Sequence, residues 1–561
     1  MRPIVAVENV TFTYGGRGRP TLRGVRFSLE AGEFALLTGP SGCGKSTVLK
    51  LLNGLIPHES GGALTGSVRI GGVDTRCAAV AALSRQVGLV FQSPEDQIFA
   101  ATVYDEVAFV LENMGLEAAE VAARVAEALA AVDLTGFEQR SIHALSGGQK
   151  QRLAVAAVLA ARPRVLALDE PISQLDPVNA QRLLELLVTL NERHGIAVLL
   201  VEHRLHEALR VAKRVLILSE GELVWDGPAA EALAAPEVFL RYGLRLPQTV
   251  DICSRLGVPL RRDDNAEAAR LIAARYAPFS ACVSPAREAA RPLAPRSVEA
   301  ERLVYAYESG VPPSLCGVDF AARRGEIVAL MGTNGAGKST LLQQIAGVLR
   351  PDAGRVAAFG AGGRRARVGF VMQNPDFMLF SRTVEQELLF GPAHLGLDLP
   401  AARAACPKLL AQLALAGLEA EFPLALSRGQ RLRVALASVL SCAPDVLLLD
   451  EPTTGQDISR IGDILALVSA YAAGGGTVLF CTHDTEVAAS LAHRVVLMKA
   501  GEVIADGAPR RVFGDAALCR SAGLRQLPAA EIAQRLGAGA LLSAEEVVRY
   551  VRQASCRGYA V

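Results

Sequence analysis

A basic surplus is missing from this 561-residue sequence: 58 Lys and Arg stand against 57 Asp and Glu. A protein that lives on phosphate-backbone contacts carries such a surplus, so nucleic acid is not expected as the main partner. Cysteine pairing is missing too. The ten cysteines are scattered, with no CxxC and no metal-ligand spacing, which fits reduced cytosolic thiols and not a metal cluster. The start, MRPIVAVENVTFTYGG, has one Arg and no apolar block before a cleavage site, so no secretory or transit segment is expected. Mean hydropathy is +0.28, yet a credible membrane span is lacking. The nearest candidate, uncharged from Ile464 to Thr482, is interrupted by Gly474, Gly475 and Gly476. It reads as a helix ended by a glycine cap and followed by the buried strand TVLFCT. The remaining mixture, 51% apolar and 20% charged, is that of a soluble globular protein long enough for two domains plus extensions.

What the sequence does have is repetition. GPSGCGKST (Gly39 to Thr47) returns as GTNGAGKST (Gly332 to Thr340), with an offset of 338 − 45 = 293 at the lysine. Tyr14 and Tyr307 keep that offset, whereas Gln92 and Gln373, Ser146 and Ser427, and Asp169 and Asp450 differ by 281 (450 − 169). One length change of 12 residues (293 − 281) is therefore expected in the first copy, around HESGGALTGSVRIGG. GLRLPQTVDICSRLG and GLRQLPAAEIAQRLG repeat once more near the ends of the two copies. The expected order is a first cassette at 1–228, a helical extension at 229–276, a linker at 277–296, a second cassette at 297–508 and its extension at 509–561.

Each copy runs from an apolar strand (EFALLTG; EIVALMG) directly into G-x-x-x-x-G-K-S. Gly39, Gly42 and Gly44, like Gly332, Gly335 and Gly337, let backbone N–H groups curl around phosphate oxygens, and the following helix offers its N-terminus to the same anion. Lys45 and Lys338 would reach the β- and γ-phosphates of ATP, Ser46 and Ser339 would ligate Mg²⁺, and Thr47 and Thr340 complete the run. VLALDEP and VLLLDEP are buried-strand runs that end in two carboxylates. A P-loop site needs an acid on an adjacent strand end to hold Mg²⁺ through water, here Asp169 and Asp450. Glu170 and Glu451 would then polarise the attacking water as general bases.

LSGGQKQR (Leu145 to Arg152), with Ser146 23 residues (169 − 146) before Asp169, resembles the signature of ATP-binding-cassette ATPases. The resemblance covers nearly all of both halves. It implies an α/β fold: two P-loop domains, each with a RecA-like core, an antiparallel β subdomain, a helical subdomain and a small helical extension. It further implies that the cassettes pair head to tail within the chain, each bound nucleotide capped by the other cassette's signature: Ser146, Gly147, Gly148 and Gln149, or Ser427, Gly429 and Gln430. A serine and amides at a helix start suit a γ-phosphate. By the same resemblance Tyr14 and Tyr307 stack on adenine, although a strand-face core aromatic is the alternative. Gln92 and Gln373 sense Mg²⁺ and the membrane partner, Asp176 and Asp457 communicate between sites, and His203 and His483 hold the γ-phosphate and water. The second signature departs from the pattern, with Arg428 where the first has Gly147. The resulting expectation is that the site closed by Arg428 turns over more slowly. Cys43, beside the phosphate loop where the second copy has Ala336, is expected to be either a reactive thiol of lowered pKa or an inert small residue.

FQSPEDQIFAATVYDEVAF and NGLIPHESGG resemble the energy-coupling-factor and cobalt-type importers in particular. That subgroup implies a transmembrane coupling subunit, a membrane substrate-capture subunit for a vitamin or metal ion, and a peripheral place on the cytoplasmic face of the membrane. Two alternatives remain: a soluble tandem-cassette ribosome factor and a fused sugar-importer ATPase. Ala229 to Glu299 has ten Arg, no Lys and eight acids, a net of 10 − 8 = +2, which disfavours ribosomal RNA. The presence of both Glu170 and Glu451 weighs against the degenerate site common in sugar importers.

Overall fold

The computed structural model describes residues 3–16, 18–173, 175–276, 294–308, 312–454, 456 and 458–557. The chain divides into two compact units, Met1–Asp264 and Asn265–Val561. Most of the segment read as a linker, residues 277–293, lies outside the described residues, as does Asp457.

The first unit runs β1 (Val5–Tyr14), β2 (Leu22–Leu29), β3 (Phe34–Thr38), β4 (Gly62–Ile70), β5 (Val73–Asp74), β6 (Val87–Val90), β7 (Val165–Asp169), β8 (Ala197–Val201), β9 (Arg214–Ser219) and β10 (Glu222–Pro228). In β1 the alternation that buries Val5 and Val7 slips at Asn9, whose φ is 49°. The extra residue restores Val10 and Phe12 to the core, as a bulge does. β1 pairs antiparallel with β2 and β4, and β5 closes that sheet in the order β2-β1-β4-β5. The main sheet runs β10-β9-β3-β8-β7-β6, parallel except at β10. β3 is buried throughout between β8 and β9, hence its unbroken apolar sequence.

The second unit repeats this plan with β11 (Arg296–Tyr305), β12 (Leu315–Arg323), β13 (Ile327–Met331), β14 (Ala353–Ala358), β15 (Val368–Val371), β16 (Val446–Asp450), β17 (Thr477–Cys481), β18 (Arg494–Lys499) and β19 (Glu502–Gly507). Its sheets are ordered β12-β11-β14 and β15-β16-β17-β13-β18-β19. The strand carrying Asp169 or Asp450 is thus not adjacent to the P-loop strand, contrary to expectation. β8 or β17 lies between them, and the candidate histidine follows two residues after each ends. An acid two strands away still reaches the phosphate loop, because parallel strand ends converge on one edge.

The 12-residue length difference is not a single insertion. Gly66 and Gly354 occupy the same place: a Cβ on either would strike the backbone oxygens of Glu8 and Asn9, or of Glu301 and Arg302. Their offset is 354 − 66 = 288, so five residues (293 − 288) are lost before them and seven (288 − 281) after. The seven fall where the first unit builds β5 and the helix Val80–Ser84, and the second only a short 3₁₀ turn, Ala361–Gly363.

Helices Val103–Asn113, Ala118–Ala131 and Gly147–Leu159 form the helical subdomain of the first unit, with Val384–His394, Leu399–Gln412 and Arg428–Leu440 as counterparts. The apolar stretch considered as a span is split as expected: helix Ile458–Ala473, a glycine turn, then β17. Among the described residues no helix is long and apolar enough to cross a membrane. Helices Ala229–Ala234, Glu237–Arg241 and Gln248–Arg255 follow the first cassette, and Pro509–Phe513, Ala516–Ser521, Pro528–Arg535 and Ala544–Arg557 follow the second. The helix Asn265–Tyr276, placed at the end of the first extension by sequence, belongs to the second compact unit and packs on Pro528–Arg535. Its Asn265 Nδ2 donates to Glu531 at 2.8 Å.

Candidate nucleotide sites

Each phosphate loop is shaped by glycines that admit no side chain. At Gly39 (φ 153°) a Cβ would lie 2.0 Å from the Leu218 carbonyl oxygen, and at Gly332 (φ 145°) 2.1 Å from that of Met498. Gly42, Gly44, Gly335 and Gly337 also have positive φ. Lys45 Nζ donates to the carbonyls of Gly39 and Pro40 at 2.9 and 2.8 Å, and Lys338 Nζ to those of Gly332 and Thr333, both at 2.9 Å. A buried ammonium resting on loop carbonyls is poised to exchange them for an anion. Tyr14 Oη lies 3.1 Å from Thr47 Oγ1, and Tyr307 Oη 3.2 Å from Thr340 Oγ1. Both rings therefore sit at the loop, edge-on to Phe12 and Tyr305 respectively.

The acids lie beside the phosphate loops. Burial pushes the Asp169 carboxyl above its usual range, opposed by a hydrogen bond from Ser46; Glu170's charge adds to the rise. Asp450 is raised by burial in the same way and is hydrogen-bonded to Ser339. A buried carboxylate paired with a serine hydroxyl beside a lysine is an oxygen donor set that fits a hard divalent cation. Glu170 and Glu451 occupy left-handed backbone, φ 47° and 53°. Their N–H groups extend the ladder onto the carbonyls of Val201 and Cys481 at 2.9 and 3.2 Å. His203 Nε2 stands 3.0 Å from Glu170 Oε1, and His483 Nε2 3.1 Å from Glu451 Oε1. Gln92 Nε2 donates to Glu170 Oε2 at 2.8 Å, whereas Gln373 is exposed.

Both signatures begin helices with capping boxes. Ser146 Oγ accepts from Gln149 N and Gln149 Oε1 from Ser146 N; Ser427 and Gln430 do the same. A Cβ at Gly147 would meet open space, so the Arg428 substitution needs no local repacking, whereas at Gly148 it would crowd Asn179. Gly429 O accepts from Gln456 Nε2 at 3.1 Å. Asp176, buried, caps the helix Pro177–His194 through Asn179 N. The thiol of Cys43 is corrected in direction: burial pushes its pKa up, and nearby Lys45 only partly offsets this. Of the two expectations for Cys43, this direction supports the inert small residue and not the reactive thiol.

Some groups at these sites went unread in the sequence. Glu106 and Glu387, both buried, accept from the N–H groups of Phe99 and Ala100, and of Phe380 and Ser381. They fasten the loops after Gln92 and Gln373, where exposed Phe99 packs edge-on against Phe109, and Phe380 against Phe390. Their shared offset of 281 (387 − 106) was the available signal. Lys150 pairs with Glu95, and Arg431 with Asp376, joining each signature helix to the same loops. Glu202 and Arg204 flank His203, and their roles were not visible in the motif.

A family profile described as ABC transporter matches residues 22–173 and 315–454. An ABC transporter ATP-binding protein of Methanosarcina mazei is 44% identical over 97% of this chain and 96% of its own. Similarly named proteins of Streptomyces avermitilis and Caldanaerobacter subterraneus are 40% and 32% identical over 90% and 97% of the chain, and 94% and 98% of their own. None of the three names goes beyond ATP binding in an ABC transporter. Among solved structures, cbiO1 from Clostridium perfringens, described as part of the ABC transporter complex cbiONQ, is 30% identical. It covers 45% of this chain and 100% of its own at a TM-score of 0.40. A cassette in a post-hydrolysis state bound to ADP and Pi is also 30% identical, covering 40% and 98% at a TM-score of 0.36. Two phosphate loops, two signatures and a relative aligned along nearly the whole chain lead to one assignment: this chain belongs to the ABC transporter family, as two ABC ATPase cassettes in tandem.

Proposed function

We propose that this chain is the ATP-hydrolysing subunit that energises an energy-coupling-factor-type importer for a vitamin or a metal ion. It would attach to the cytoplasmic face of the membrane through a transmembrane coupling subunit, alongside a membrane substrate-capture subunit. The observation that carries the partner reading is the pair of exposed aromatic contacts, Phe99 with Phe109 and Phe380 with Phe390, each just after a glutamine loop. Solvent-facing aromatics fastened by a buried glutamate fit a protein-docking surface better than a solvated one. The subgroup itself rests on the sequence run from Phe91 to Phe109.

At each site Lys45 or Lys338 binds the β- and γ-phosphates, and Tyr14 or Tyr307 packs on the base. Glu170 or Glu451 accepts a proton from the attacking water, which His203 or His483 orients. Ser46, Asp169 and Gln92, with Ser339, Asp450 and Gln373, would hold Mg²⁺, which neutralises charge on the phosphates when bound. The motifs on the two halves are complementary, and we read the cassettes as pairing within the chain.

The test is co-expression with the membrane proteins encoded by neighbouring reading frames, followed by fractionation. The chain should reach the membrane only with them. Equal pelleting with protein-free liposomes, or co-sedimentation with ribosomes, would overturn the reading.

A further inference from the structure

We propose that Glu202 and Arg204 are positioning residues of the first ATP site, clamping the backbone at Ile172 and Leu175 to the His203 loop in a manner that the described residues of the second site do not repeat. The proposal rests on Glu170 and His203 being the base and the γ-phosphate histidine of that site.

The clamp takes both sides of one residue. Ile172, two positions after Glu170, donates its N–H to Glu202 Oε1 at 3.0 Å and receives Arg204 Nη1 on its carbonyl at 3.0 Å. The same Nη1 donates to the Leu175 carbonyl at 3.1 Å, next to the capping residue Asp176. Glu207 Oε1 fixes the guanidinium from behind, 2.6 Å from Nη2. Glu202 Oε2 also accepts from His203 N at 3.2 Å. Hence the residues on either side of His203 fasten the backbone that follows Glu170. The catalytic pair, 3.0 Å apart, is held from both ends. Burial, with Glu170's charge, pushes Glu202 up to about 8, so near neutral pH it adds no second full charge beside the base.

The anchorage reaches further. His206, two residues past Arg204, meets the buried carboxylate of Asp263 in the first extension at 2.7 Å. The second cassette has Thr482, Asp484 and Glu486 at the positions of Glu202, Arg204 and His206, and Ser543 at that of Asp263. Asp484 is an acceptor that caps its own helix through Glu486 N and Val487 N, and an ionised carboxylate cannot donate to backbone carbonyls as Arg204 does. Thr482 Oγ1 accepts from Asp484 N, within its own loop. Among the described residues the Glu202–Arg204 clamp is therefore a device of one site, and it makes hydrolysis there depend on residues that touch no nucleotide.

The test uses the full chain with the second site silenced by Glu451→Gln, measuring single-turnover hydrolysis and equilibrium ATP binding separately. Arg204→Ala should slow hydrolysis by about tenfold or more while ATP affinity stays within about twofold, because misplacement of a catalytic group costs rate and not ground-state binding. Arg210→Ala, an exposed change on the same segment, should leave both unchanged. Should Arg204→Ala not fold, Arg204→Met carries the same test with a smaller volume change, since a thioether cannot donate to the Ile172 and Leu175 carbonyls, and it must slow hydrolysis at preserved affinity. A folded Arg204 variant that hydrolyses ATP as fast as its parent overturns the clamp, as does a parallel loss of affinity. Glu170→Gln and His203→Ala in the same background separate the two readings. If either still turns over, the site assignment falls and the clamp with it; if both are dead and Arg204→Ala is not slowed, only the clamp falls.

Discussion

At Glu170 and Glu451 the backbone enters the left-handed region, which costs a residue with a Cβ about 1 kcal/mol or more. The turn survives because the N–H of each glutamate continues the sheet ladder and its carboxylate meets a histidine. Replacing both by Gln preserves shape and removes the base. The double variant Glu170→Gln, Glu451→Gln should retain two ATP per chain without hydrolysis, and a saturating stoichiometry of one would contradict two competent sites. Cys43 supports a different expectation. Its thiol is buried and its pKa raised, so at neutral pH it stays protonated and slow to alkylate. Under limiting maleimide, exposed Cys77 and Cys316 should label before Cys43 by mass spectrometry. Cys43→Ala, the residue already used at 336, should change ATPase activity by less than about twofold. The motif residues were legible because phosphate chemistry ties residue type to spacing. Burial is not written in spacing, so the sequence leaves both readings of Cys43 open, and the Glu202–Arg204 clamp acts through backbone groups that every residue shares.

Single elements carry the next layer of design. The loops after Gln92 and Gln373 owe their shape to Glu106 and Glu387, each serving two N–H groups. Glu106→Ala should cost about 1–3 kcal/mol in chemical denaturation, because those donors lose their acceptor while partly buried. The turn carrying His206 should respond to pH. Burial opposes its charged form, but the Asp263 hydrogen bond and charge, helped by Glu207, outweigh burial and raise its pKa. The folded chain therefore binds this proton more tightly than the unfolded chain. The contribution is complete below about pH 6.5 and is lost as pH climbs through the raised folded value. Thermal melts should accordingly lose stability over that window, and Asp263→Asn should flatten the loss; an unchanged slope would show that the pair does not titrate. Strand and helix existence was readable from apolar runs. Strand neighbours were not, since local sequence is blind to β8 sliding between β3 and β7. The divided length change is hidden in the sequence because matching motifs bracket it only at its ends, whereas Gly66 and Gly354 are equated by the bulge each one faces.

For the molecule as a whole, the aromatic pairs give a surface experiment. Phe99→Ala with Phe380→Ala should abolish recovery with the membrane subunits while leaving the ATPase rate of the isolated chain within about twofold. Retained recovery would place the docking surface elsewhere. The helix Asn265–Tyr276 bears on something else: the order in which the chain is made. Its support, Pro528–Arg535, lies 266 residues later at the Asn265–Glu531 contact. At ordinary elongation speeds of about 5–20 residues per second, the ribosome needs roughly 13 to 50 seconds to supply it. The first cassette can fold meanwhile, but this helix, with Ala268, Ala269 and Ile272 meant for burial, waits without its seat. Synthesis thus leaves an adhesive segment open to chaperones, or to a neighbouring nascent chain, until Pro528–Arg535 emerges.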